Sequence, residues 1–227
     1  MREDAKYWIA LSFVNGLGDV LTKNLYSAFR SAEDVFKASA KKLARVDGIS
    51  ENMALAIKGF DEWDKVGEEI EKIRKSGFGF LPLNDPHYPE HLLQIYNPPS
   101  YLLMQGALLP RDRVSIAIVG SRIPDTYGRI VTEALSGELA ALGVTIVSGM
   151  ARGIDSIAQE EALKRGGRTI AVLGSGIDIV YPPENKKLYR DISGNGAVLS
   201  EFPIGTPPIA QNFPRRNRII SGISLGV

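Results

Sequence analysis

The sequence predicts an α/β protein: a doubly wound, mainly parallel sheet preceded by an all-helical domain. Apolar runs of strand length recur in the second half of the chain as IAIVG (116–120), VTIVSG (144–149), TIAVLG (169–174) and AVLSE (197–201). Gly120, Gly149, Gly174 and Ser200 stand 29, 25 and 26 residues apart, the length of a strand plus a crossover helix. Strands that are apolar on both faces belong to a parallel sheet covered by helices. Residues 1–76 lack such runs and read instead as helices joined by glycine-bearing turns.

Composition narrows the function classes. With 227 residues, 44% hydrophobic and 23% charged, the chain has the makeup of a soluble globular protein with a sizeable core. A net charge of +1, from 27 basic and 26 acidic residues, argues against a uniformly cationic surface but permits a local basic groove. The absence of cysteine excludes disulfides, thiolate nucleophiles and cysteine-based metal sites. The opening MREDAKYWIALSF mixes acids with its bases and is no signal peptide. No run approaches the roughly 18 apolar residues of a membrane span, so a cytoplasmic location without membrane contact is expected.

The first domain is expected over residues 1–76. In its last helix, 61–76, Val66, Ile70 and Ile73 recur at i, i+4, i+7, and Glu68–Lys72 and Glu71–Lys75 form acid-before-base pairs at i, i+4. Gly77 is the stop. Two similar pieces lie earlier, FVNGLGDVLTKNLYSAF (13–29) and LARVDGISENMALAIKGF (43–60). Each sets an apolar-glycine turn between short helices, Gly16-Leu17-Gly18 and Gly48-Ile49-Ser50. That pattern is of the helix-hairpin-helix or SAM-like kind, whose turns offer backbone N–H groups to phosphate; a plain packing domain fits as well. Ser50 stands where the pattern has its second glycine.

The second domain is expected over residues 77–227. Prolines crowd 80–106, and YLLM (101–104) reads as a short strand. The four repeating strands follow. Leu225 and Val227 read as the opening of a further buried strand, so the C-terminal end of the α/β domain looks truncated.

In open parallel sheets ligands bind beyond the carboxyl ends of the strands. The loops there, GSRIPD (120–125), SGMARGID (148–155), GSGIDIVYPPEN (174–185) and SEFPIG (200–205), are rich in small residues that let a ligand approach the backbone. Neither a G-x-G-x-x-G fingerprint nor a Walker A sequence is present, so no nucleotide cofactor is implied. Gly120, Ser121 and Arg122 still suit a single phosphate, with a cation at a helix N-terminus. Gly149, Arg152 and Gly153 repeat the arrangement one strand later. Asp155 reads as a favourable helix-dipole or capping acid, and Arg152 reads either as the ion-pair partner of such an acid or as half of a shared anion site.

His87-Tyr-Pro-Glu-His91 matches the pattern of one zinc-peptidase class, but Pro89 keeps His87 off any helix carrying His91, and no metal site is expected. In FPRRNR (213–218) Pro214 suits a first helical turn, which sets Arg215, Arg216 and Arg218 at the positive end of a helix dipole. Such a cluster calls for an anion, and phosphate fits the arginine fork. Asn217 suits a phosphate or a base edge, and Phe213 suits a base stack or a place in the core.

IAIVGSR, SGMARGID, AVLGSGIDIVYPPEN, GAVLSEFPIG and FPRRNRIISGIS, in this order and spacing, resemble the DprA family (also called Smf, or DNA-processing protein A). The resemblance covers the whole chain, including the linking YPEHLLQI and NPPSYLLMQG. It implies an extended Rossmann-like core and a non-catalytic, cytoplasmic protein. It further implies binding of single-stranded DNA in a basic pocket, protection of incoming DNA during natural transformation, loading of the RecA recombinase, and a homodimer formed through the core. On this reading Arg122, Arg152, Arg215, Arg216 and Arg218 fall on the basic pocket, with Lys186 and Lys187 as additions. Cations recessed among strand-end loops suit a flexible single strand better than a duplex. The competing readings are an enzyme that cleaves a nucleotide at the same pocket, with Glu201 as its acid, and a nucleotide-sensing or structural domain.

Overall fold

The computed structural model describes residues 2–227. One unit runs up to Asp85 and includes Tyr96–Tyr101; the other comprises Pro86–Ile95 and Leu102–Val227.

The first unit contains α1 (Ala5–Phe13), α2 (Asp19–Phe29), α3 (Ala32–Lys37), α4 (Ala40–Leu43), α5 (Glu51–Lys58), α6 (Trp63–Ser76) and β1 (Gly79–Pro82), a strand hidden in the proline-rich sequence. The two turn sequences are structural copies. Gly16 and Gly48 share φ +79°, which a side chain resists, and each is followed by a buried apolar residue, Leu17 or Ile49. The N–H of Leu17 donates to Val14 O at 3.1 Å, and that of Ile49 to Val46 O at 3.0 Å. The copies also clasp each other. A Cβ on Gly16 would meet Met53 Cε at 3.2 Å, and one on Gly48 would meet Leu21 Cδ2 at 2.7 Å, so each turn packs on the second helix of the other hairpin. Ser50 departs from the glycine pattern because it caps α5: its hydroxyl accepts from Met53 N at 3.1 Å.

Helix α6 buries Val66 and Ile73 and half-buries Ile70 as its period predicts, and Gly77 ends it with φ +73°. Its ion pairs differ from expectation. They include Glu69–Lys72 at 3.8 Å and Glu71–Arg74 at 3.0 Å, one residue closer than i, i+4.

The second unit contains α7 (Glu90–Gln94), then β2 (Tyr101–Gly106), whose first residue belongs to the first unit. After these come β3 (Ser115–Ala117), α8 (Thr126–Ala141), β4 (Thr145–Ser148), α9 (Ile154–Lys164), β5 (Thr169–Val172), α10 (Lys186–Asn195), β6 (Ala197–Ser200) and α11 (Asn212–Ile223). The strands lie in the order β2-β6-β5-β4-β3. Neighbours among β3 to β6 are parallel, and β2 runs antiparallel to β6 with Leu103 opposite Ser200. Both faces are covered. Ile116, Ile118 and Ile146 pack with Ala140 of α8 and Ala158 and Ala162 of α9. On the alternate face Ser115 Oγ donates to Ile223 O of α11 at 3.2 Å. Beyond α11 the chain lies along β3: Leu225 N donates to Ser115 O and Ala117 N to Gly226 O, each at 2.9 Å.

At the amino ends of the strands sits a closed ion pair. Arg168 donates through Nε and Nη2 to the two oxygens of Asp112, both at 2.8 Å, and Thr145 Oγ1 donates to the same carboxylate at 2.8 Å. Burial alone would raise the Asp112 pKa, but Arg168, the Leu109 N–H and the Thr145 hydroxyl outweigh it and hold the carboxyl below its usual range. Among the described residues no helix is long and apolar enough to cross a membrane.

Candidate functional site

The site forms where the carboxyl ends of β3, β4 and β5 meet the start of α11, and its glycines set the spacing. A Cβ on Gly120 would sit 2.8 Å from Ile154 Cγ1, and one on Gly153, where φ is +77°, would run into Ser121 O. The GSR and ARG loops therefore lie against each other, with Ile154 N donating to Ser121 O at 3.1 Å. Close approach to the backbone is indeed why these positions are small. What approaches, however, is the protein itself: Arg216 against Gly149, and Phe213, 2.8 Å from a Cβ on Gly174.

One cleft results, lined by Arg122, Gly149, Arg152, Ser175, Tyr181 and Phe213, with Ala151, Gly174 and Pro182 completing the wall. Its cavity, about 30 Å³, has room for one or two waters and would not enclose a nucleotide. Arg122 is exposed and sits over the Phe213 ring, 5.6 Å from its centroid. It has no acidic partner among the described residues. Tyr181 adds a second ring, 5.8 Å from Phe213 and tilted by 46°. Arg152 reaches Glu184 Oε1 at 2.5 Å, with both side chains more than half exposed. Its partner is thus Glu184 and not Asp155. Asp155 lies in the first turn of α9, as the helix-dipole reading has it, but its carboxylate caps no helix amide: it accepts from Gly149 N at 3.1 Å and Ala151 N at 3.4 Å, folding the loop over itself.

The three clustered arginines go separate ways. Arg216 is 3% exposed. Its Nη1 donates to Gly149 O at 2.7 Å and to Val172 O, tying the ends of β4 and β5 together. Asn217, exposed, accepts from Arg216 Nε at 3.2 Å and orients it. Burial pushes the Arg216 pKa down to about 10, against the pull of Asp155, so the side chain stays charged at neutral pH. Asp155 is itself raised by burial, which outweighs Arg216 and the loop amides. The sequence pattern sets Arg216 on a ligand-facing wall; the structure buries it beneath that wall. The missed signal is that Arg216 heads the stripe Ile219, Ile220, Ile223 at i, i+3, i+4, i+7, the buried side of α11.

Arg215 and Arg218 converge on Glu201, whose side chain is 2% exposed. Arg215 Nη2 lies 2.9 Å from Glu201 Oε2, and Arg218 Nη2 donates to the same oxygen. The anion that this cluster demands at a helix N-terminus is supplied by the chain. Glu201 is an ion-pair hub and not a poised acid, as the competing enzyme reading requires. Arg215 also covers Phe202, 5.4 Å from the ring centroid, and remains half exposed.

Lys186 and Lys187 start α10 and are exposed, but neither lines the cleft; Lys187 pairs with Asp191 at 2.6 Å. Both histidines line a separate, mainly apolar cavity of about 230 Å³ with Tyr88, Leu109, Arg113 and Ile223. His91 lies in α7, and His87 lies outside it, ahead of Pro89. Tyr181 and Ser175 belong to the GSGIDIVYPPEN loop that the sequence sets at the ligand end, but an irregular loop without periodicity does not single them out.

Comparison with known proteins agrees with this architecture. Residues 79–227 match the family described as DNA recombination-mediator protein A, and residues 9–59 match the SAM-like helix-hairpin-helix tandem. The chain belongs to the DprA/Smf family. It is 40% identical over 230 residues to protein Smf of Synechocystis, covering all of this chain and 58% of that protein. It is 40% identical over 167 residues to the DNA processing protein DprA of Bacillus subtilis, covering 73% of this chain and 56% of that protein. The chain thus spans little more than half the length of these relatives. The crystal structure of DprA from Streptococcus pneumoniae superposes with a TM-score of 0.78 at 32% identity, covering 96% of this chain and 75% of that one. Helicobacter pylori DprA, whose structure is described for its single-stranded DNA binding mode, gives a TM-score of 0.58 at 36% identity over 66% of this chain and 67% of that one.

Proposed function

We propose that this chain binds single-stranded DNA across the strand-end cleft without catalysing a reaction on it. On this reading it acts in recombination in the cytoplasm, shelters incoming strands, passes them to RecA, and works as a homodimer through the α/β unit. The observation that carries the DNA reading is Arg122: an exposed cation with no acidic partner among the described residues, lying over an aromatic ring at the mouth of a cleft too small for a nucleotide. Phosphate on the guanidinium and a base on Phe213 or Tyr181 satisfy that pairing, each stack contributing about 1–3 kcal/mol. Arg152 and the half-exposed Arg215 extend the cationic rim, and Arg216 with Asp155 shapes it from behind. The relative described with a single-stranded DNA binding mode supports the choice of ligand.

The test is titration of a fluorescent single strand and the matching duplex at several salt concentrations. Single-strand affinity should exceed duplex affinity and fall with salt, at a logarithmic slope of about 0.7 per phosphate contacted. Replacing Arg122 and Arg152 with Ala should flatten the slope. Equal affinity for duplex, or an unchanged slope in the double variant, overturns the reading. Turnover of a nucleoside monophosphate, abolished by Glu201→Gln, would favour the enzyme instead.

A further inference from the structure

Two carboxylates of the chain meet the arginines of the cleft and its rim, and they are held in different ways. Glu201 is fixed: its side chain is 2% exposed and is shared by Arg215 and Arg218. Glu184 is 52% exposed, and its one ion pair among the described residues is with Arg152, itself 59% exposed. The Arg152 guanidinium holds the Glu184 carboxyl below its usual range, so the acid is charged at neutral pH. Exposed ion pairs contribute little to stability, because solvent screens them and two long side chains must be ordered to form them. A competing anion can therefore part Arg152 from Glu184 at small cost. It cannot part Arg215 and Arg218 from Glu201 without stranding a buried charge.

The backbone that presents Glu184 is held firmly. Pro182 and Pro183 precede it with restricted φ, and Pro183–Asn185 form one 3-10 turn. Asn185 is buried, and its Nδ2 donates to Met150 O and to Ser156 Oγ, both at 2.8 Å. These bonds tie the turn to the loop that carries Arg152. The two partners of the ion pair thus stand on segments locked to each other, while their side chains meet in solvent.

We propose that Glu184 is an internal competitor for the DNA phosphate: it occupies Arg152 in the free protein, yields it to a bound strand, and so lowers the affinity of the cleft. The inference rests on the single-stranded DNA reading and deepens it. Once a phosphate has taken Arg152, the Glu184 carboxylate turns from partner into a like charge beside the strand. Both effects weaken binding, which suits the proposed hand-over of the strand.

The test is a double-mutant cycle. The unaltered chain, Glu184→Gln, Arg152→Ala and the double variant are each titrated with a fluorescent single strand at several salt concentrations. Glu184→Gln should tighten binding about twofold to fivefold at low salt, with unchanged circular dichroism. It should also steepen the logarithmic salt slope by up to about 0.7, the share of one phosphate. In the Arg152→Ala background the same replacement should change affinity much less, since only its general charge then acts. Equal tightening in both backgrounds, or no tightening beside an intact Arg152, overturns the proposal and leaves the DNA reading standing. Single-strand affinity indifferent to both Arg122→Ala and Arg152→Ala overturns the DNA reading itself, and the proposal with it.

Discussion

The two ends of the sheet each bury an arginine, and the two are satisfied by opposite means. At the amino ends Arg168 meets a carboxylate face to face, both nitrogens at 2.8 Å, and the pair is closed. At the carboxyl ends Arg216 meets the backbone oxygens of Gly149 and Val172, while its nearest acid, Asp155, is occupied by loop amides. The first arrangement cancels a charge and seals an end. The second uses one cation to fix two strand ends and the loop carrying Arg152, and it leaves positive potential beside Arg122. One end is closed on itself; the other keeps an exposed cation, as the proposed DNA binding requires.

That contrast can be broken most forcefully at Arg168. Arg168→Ala strands the Asp112 carboxylate in a buried site and should cost about 3–5 kcal/mol, read from urea unfolding, with little effect on single-strand affinity beyond loss of folded protein. Arg216→Ala removes charge-assisted bonds worth about 1.5–3 kcal/mol each. It should lower stability and also weaken DNA binding in the fraction that remains folded. Equal binding per folded molecule in the two variants would erase the distinction between the ends.

A subtler probe is Gly174→Ala, whose Cβ would press on Phe213 at 2.8 Å. Overpacking there should cost about 1–3 kcal/mol and shift the ring on which Arg122 rests. The companion Gly166→Ala, with nothing near its Cβ but φ +71°, should destabilise through the backbone alone and leave binding intact.

The smallest effects concern pH, and the two carboxyls carry opposite signs. Asp112, held below its usual range, stabilises the fold above its unfolded value, and that contribution disappears as pH falls through the lowered value. Asp155, raised by burial, favours the fold in its protonated form, and its contribution declines as pH rises through the raised value. Asp112→Asn should flatten the acid limb of a stability–pH curve, and Asp155→Asn should flatten the limb just above it.

Much of this architecture was legible in the sequence. The apolar runs at 25 to 29 residue intervals place β3 to β6, and YLLM places β2, because buried parallel strands need little beyond hydrophobicity and spacing. Arg122 and Arg152 are likewise traceable to strand ends and Phe213 to the start of the last helix, and the three line one cleft. What escaped was set by tertiary partners. β1 hides among prolines, the Arg215–Glu201–Arg218 hub joins residues 14 and 17 positions apart, and Arg216 was grouped with its neighbours by charge when its helical period assigns it to the core.

The clasped hairpins of the first unit carry a consequence for dynamics. Since the turn at Gly16 closes on Met53 and the turn at Gly48 closes on Leu21, neither hairpin can open alone without exposing the apolar residue that seals the other. Their amides should therefore exchange with solvent hydrogen as one cooperative block, not as two that melt in turn. The two similar turns should then open as a single unit.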